Sequence, residues 1–325
     1  MLVVKRENRT LPTLSNICDF NMPFTTKFIF LAPLVLLMLC AAGCKPKTFN
    51  FEDNTPPPYD GVPSIVIDAY VNRMWIDMMG REPLTSERDE AREELRAGAL
   101  SINTRKALID RLRTTTSGGV DYPSEYYHKL ALDLNARFLD GASMEQIADQ
   151  EQQYRGFASQ DSADGNMLLY QFWTMEADKL GAIPANVIRY RLGEIDFGNF
   201  SKTFAFNGLY DEINMNSFNF INATYDDFYS RFPTTQEFEL AYGVIEYGEA
   251  AGVMGMAATD KSSYLDALIG NAEFDEGTAR WAYALLLARE PTSAEVLLHI
   301  TTLGSLGDFR LLQREILSSD EYADL

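Results

Sequence analysis

Three stretches decide the fold: Trp75–Glu87 (WIDMMGREPLTSE), Tyr225–Glu237 (YDDFYSRFPTTQE) and Tyr283–Glu295 (YALLLAREPTSAE). Aligned on Pro83, Pro233 and Pro291, each has an arginine two residues earlier, at Arg81, Arg231 and Arg289. A small residue precedes it, Gly80, Ser230 or Ala288, and an aromatic stands eight before the proline, at Trp75, Tyr225 and Tyr283. Met78, Phe228 and Leu286 add an apolar position at helical spacing, so each copy opens with an amphipathic helix. The Arg-x-Pro step ends that helix, because proline disfavours helical backbone just before itself. Four residues after each proline stands Glu87, Glu237 or Glu295, and Thr234 and Thr292 give capping-box spacing into a second helix. In the first copy Leu84 occupies that position, which puts the expected cap at Thr85.

Each copy closes on a glutamate followed by an aromatic: Glu125-Tyr126, Glu273-Phe274 and Glu321-Tyr322. Apolar spacing over Arg105–Leu112, Tyr264–Ile269 and Leu311–Leu317 predicts a helix ahead of each tail. The unit therefore reads as helix, turn, helix, loop and a third short helix. Arginine at a helix end meets the helix dipole and unpaired carbonyls. The expectation is that Arg81, Arg231 and Arg289 pair with the tail glutamates Glu125, Glu273 and Glu321 and lock the third helix onto the first. The fold class expected is all-α, made of helical-hairpin repeat units around an irregular, aromatic-rich central region.

Met79-Gly80-Arg81-Glu82-Pro83 and Ser318-Ser319-Asp320-Glu321-Tyr322 carry a resemblance. They are similar to the "LGR-x-P … SPEY" helical repeat of secreted bacterial surface proteins, of phycobilisome-linker-like modules, and of planctomycete domains of unknown function from cytochrome-associated proteins. The cytochrome-side relatives carry a haem-binding Cys-x-x-Cys-His; this chain has no such motif, so the resemblance implies no redox role.

The other end of the chain carries a different signal. Phe28–Ala42 (FIFLAPLVLLMLCAA) is uncharged, too short for the roughly 20 residues of a spanning helix, and interrupted by Pro33. Lys27 precedes it and Ala41-Ala42-Gly43-Cys44 follows, the arrangement of a secretory signal. The last four residues resemble the bacterial lipobox, which implies a lipidated Cys44 at a new N-terminus. Residues 1–21 fit this scheme poorly, and Met22 is the expected start. Cys18, Cys40 and Cys44 are the three cysteines, so the body beyond Cys44 has neither a disulfide nor a thiolate metal site. Residues 44–63, with Pro56-Pro57-Pro58, read as a semi-rigid tether. By resemblance to sorting rules, the lack of Asp after Cys44 points to the outer membrane.

The organisation expected is a signal region over 1–43, the tether over 44–63, a first unit over 64–127, a central region over 128–220 and tandem units over 221–325. Within the centre, Asn- and Gly-rich 197–220 reads as an ordered loop packed by its own aromatics. The stretch 190–232, with Phe200, Phe204, Phe206 and Tyr210, is the candidate binding surface; the plainer alternative is that these rings fill the core.

A net charge of −19 without a basic stripe excludes nucleic acid and polybasic lipid contacts. His128 and His299 stand alone and lack the spacing of a zinc site. Asp161–Asn166 fails the register of a calcium loop, and Gly248, Gly252 and Gly255 read as a loop or close helix contact. Carboxylate neighbours such as Asp226-Asp227, Asp211-Glu212 and Asp275-Glu276 are ordinary among forty-seven acidic residues. No cofactor and no metal are expected. The function expected is a membrane-anchored envelope lipoprotein with an interaction or scaffold role and an envelope protein as partner. A glycan- or polymer-binding lipoprotein and a hydrolase of unrecognised type are the alternatives.

Overall fold

The computed structural model describes residues 61–303 and 308–325. The expected signal region, Cys44 and most of the tether lie outside the described residues. The described chain is all-α, with fifteen helices and two minimal hairpins. Among the described residues no helix is long and apolar enough to cross a membrane.

The first copy contains α1 (Ser64–Met79), α2 (Thr85–Ala97), α3 (Ile102–Thr114) and, after the hairpin β1 (Thr116–Ser117)–β2 (Val120–Asp121), α4 (Tyr122–Phe138). In α1, Ile67, Tyr70, Val71, Met74, Trp75 and Met78 are buried, the stripe of an amphipathic helix. Next come α5 (Met144–Ala163), α6 (Met167–Arg191), α7 (Phe197–Ala205) and α8 (Gly208–Asn214). The second copy is α9 (Ser217–Tyr229), α10 (Thr235–Tyr247), the hairpin β3 (Ala251–Val253)–β4 (Met256–Ala258), α11 (Lys261–Ile269) and α12 (Ala272–Leu287). The last is α12 again, with α13 (Ser293–Leu303), α14 (Phe309–Leu317) and α15 (Asp320–Ala323).

The structure corrects several details. Residues 197–220 are not a loop but α7, α8 and the start of α9. Asp196, Asn207 and Asn216 cap these helices by accepting from the backbone N–H of Asn199, Tyr210 and Asn219, so the polar residues punctuate short helices instead of preventing them. The cap of α2 is Leu84, whose N–H donates to Glu87 at 2.7 Å, and Thr85 is the first helical residue. The third helices stand where expected, as α3, α11 and α14, but each tail glutamate sits in the first turn of a fourth helix, α4, α12 or α15, so the arginine holds that helix and not the third. Phe274 and Thr278 lie in one helix, so α12 closes the second copy and opens the last. Gly252 lies in β3 and Gly255 in the turn to β4, a hairpin where a loop or helix contact was expected.

One continuous core runs from Ile67 to Ala323. The central short helices wedge aromatics between the copies. Phe138 of α4 meets Phe204, Tyr210 and Phe228, and Phe197 stacks on Phe309 with centroids 4.8 Å apart. The C-terminus closes onto α1: the Tyr322 hydroxyl donates to Asp77 at 2.6 Å and Arg73 lies over its ring.

Candidate interaction surface

The repeated residues build three matching stations that fix the body. Gly80, Ser230 and Ala288 all adopt left-handed backbone, with φ of 73°, 56° and 53°. That turn sends the chain out of the first helix of each copy and favours small residues. The arginine that follows grips the glutamate of the second helix with both ends of its fork. Arg81 donates to Glu87 at 2.7 and 2.8 Å, Arg231 to Glu237 at 2.9 and 2.8 Å, and Arg289 to Glu295 at 3.0 and 2.7 Å. Each also reaches the tail: Arg81 to Glu125 at 3.0 Å, Arg231 to Glu273 at 2.9 Å, and Arg289 to Glu321 at 2.6 Å. The same glutamates of the second helices accept the N–H of Leu84, Thr234 and Thr292, each at 2.7 Å.

Helix dipoles explain the one-to-two charge ratio. Each station gathers one helix C-terminus, where the cation sits, and two N-termini, where the anions sit. The bidentate bonds from Arg231 and Arg289 hold the Glu237 and Glu295 carboxyls at about 2, far below the ordinary range. The glutamates after each proline were legible as capping residues; their grip on the arginine was not.

The aromatic candidates separate. Phe200, Phe204 and Tyr210 are fully buried, so three of the four rings fill the core as the plainer alternative had it. The ammonium groups of Lys179 and Lys202 stand over the Phe206 ring, 4.5 and 5.5 Å from its centroid. It lines a groove of about 790 Å³ between α6 and α7, with Met175, Asn186, Ile195 and Asn199. His128 is exposed, and half-buried His299 bonds the Tyr283 hydroxyl at 2.9 Å. Of the paired carboxylates, burial pushes Asp227 up to about 7, while the Tyr210 hydroxyl donates to it at 2.7 Å and Arg137 lies nearby. Asp227 does not line the groove.

The feature that sequence reasoning missed is the outer half of the α5–α6 hairpin. From Met167 to Met175 no residue of α6 is buried, whereas Glu176, Ala177, Leu180 and Ile183 on the next turns are. Leu168 is 81% exposed and Phe172 44%, and Phe157 of α5 joins them. Half-buried Trp173 ties the group together, with Phe157 and Phe172 ring centroids 5.0 and 4.9 Å away. The signal was present as MLLYQFWTM, which is apolar on more faces than one packed helix needs.

The fold and this surface define a class: an all-α repeat body that presents an apolar ridge on a projecting hairpin. No family profile matches the chain, and neither curated proteins nor solved structures provide a match.

Proposed function

We propose that the chain is a lipid-anchored protein of the bacterial cell envelope whose helical body is an interaction scaffold. The observation that carries the interaction role is the ridge at Leu168 and Phe172, large apolar side chains left exposed among the described residues on the outer half of a helical hairpin. The anchoring rests on Lys27, the apolar run 28–42 and Ala41-Ala42-Gly43-Cys44. Two or three acyl chains on one cysteine give stable membrane attachment. The tether over 44–63 then sets the body off the bilayer. The Asp-free position after Cys44 supports the outer membrane as the location.

The test is palmitate labelling with membrane fractionation of a C-terminally tagged chain, followed by co-purification. A labelled chain in the membrane fraction, with a stoichiometric envelope partner that Cys44→Ala abolishes, is the expected result. An unlabelled chain in the soluble fraction would remove the anchoring, and a labelled chain without partners would remove the scaffold role.

A further inference from the structure

The ridge carries its own charge pattern. Asp161 and Asp164 flank the hairpin tip, and neither has a cationic partner among the described residues. The one arginine of the outer half, Arg155, is already committed to Glu151 and Asp178. In the adjoining groove, Lys179 is paired with Glu176 at 2.7 Å, Lys202 with Asp266 at 2.6 Å and Arg189 with Glu194 at 3.5 Å, so none of the three cations of its lining stands unpaired. Apolar side chains rimmed by unpaired carboxylates, on a chain of net charge −19, repel anionic lipid and acidic proteins alike.

We propose that this ridge docks an apolar-faced helix of another protein whose polar flank is basic. The claim rests on the interaction reading above and adds the site and the chemistry of the partner. The ridge is continuous with the groove through Met175, and the groove follows α6 from Tyr170 to Arg189. At 1.5 Å per residue that is about 28 Å, the length of a five-turn helix. Laying the apolar face of an amphipathic helix in such a groove is a recurring recognition mode. Phe172, Trp173 and Phe157 provide the aromatic anchors such interfaces concentrate, and Met167 and Met175 adapt to the incoming side chains.

The test uses the full chain carrying Cys44→Ala and two synthetic amphipathic peptides of about 18 residues, five turns. One has a leucine face flanked by lysines, and the other has glutamates in place of the lysines. The basic peptide binds saturably and at least about tenfold more tightly than the acidic one, and salt weakens it. Leu168→Ser with Phe172→Ser weakens binding by about tenfold or more at an unchanged melting temperature, since both residues are exposed. Asp161→Asn with Asp164→Asn flattens the salt dependence. Equal binding of the two peptides, or binding that the ridge variant leaves intact, overturns the proposal. So does ridge-dependent binding to phosphatidylcholine vesicles, which would make the surface lipid-facing. A partner that still co-purifies with the ridge variant overturns this inference while leaving the scaffold reading in place.

Discussion

At the residue scale, Ala288 and Ser230 hold left-handed backbone that Gly80 adopts without strain. Ala288→Gly should therefore be neutral or raise stability by up to about 1 kcal/mol, and Gly80→Ala should lower it by a similar amount. Urea denaturation of both variants checks the pair. The stations also give acid sensitivity. The Glu237 and Glu295 carboxyls sit at about 2 in the folded state, below the ordinary 4.5. A depressed carboxylate stabilises the fold above its unfolded pKa, and that contribution is lost as pH falls from about 4.5 toward 2. Partial exposure screens these pairs, so each is worth about 1–2 kcal/mol at pH 7. Glu237→Gln should remove that amount at pH 7 and show a flatter stability profile below pH 4.5, as read by denaturation at several pH values. A parallel profile in the variant would mean that the station contributes nothing.

At the scale of the element, the repeat works because one helix serves two copies. α12 carries Glu273 for the station behind it and Tyr283 for the one ahead, and delivers Arg289 just past its C-cap Ala288. It must cross α9 closely, and Gly277 marks the crossing: a Cβ there would stand 2.0 Å from the Phe228 carbonyl oxygen. Backbone cannot yield as a side-chain tip can, so Gly277→Ala should cost about 3 kcal/mol or more, although alanine favours helix locally. A gain in melting temperature would contradict the crossing. Helix existence was legible from the spacing of Trp75, Met78 and their counterparts, because amphipathic periodicity is local. The helices of 197–220 were not, because Asn207 and Asn216 break helices in a propensity reading and start them as caps. Only the next turn's geometry separates the two roles.

At the scale of the molecule, the C-terminus is drawn onto α1 through Tyr322. Its hydroxyl donates to Asp77, Arg73 donates to its carbonyl at 3.2 Å, and buried Arg105 reaches Asp320. Tyr322→Phe should cost about 1–2 kcal/mol, since it leaves a partly buried aspartate without its donor. Thermal unfolding measures it, and an unchanged midpoint would show that ring packing alone closes the body. Such closure was invisible in the sequence, since nothing local in Ser319–Tyr322 names Asp77 as its partner. The ridge escaped notice for the opposite reason. Leu169, Phe172 and Trp173 stand at core spacing in the sequence, and only the packing reveals that Leu169 and Phe172 are each 44% exposed among the described residues.

The proposed lipidation of Cys44 and the proposed docking ridge meet in one measurement. A photo-crosslinking residue placed at Phe172 in the living cell should give one discrete envelope-protein adduct. The same residue at exposed His128, away from the ridge, should not, and Cys44→Ala should abolish the adduct. Equal adducts from both positions, or an adduct indifferent to Cys44→Ala, would contradict the account.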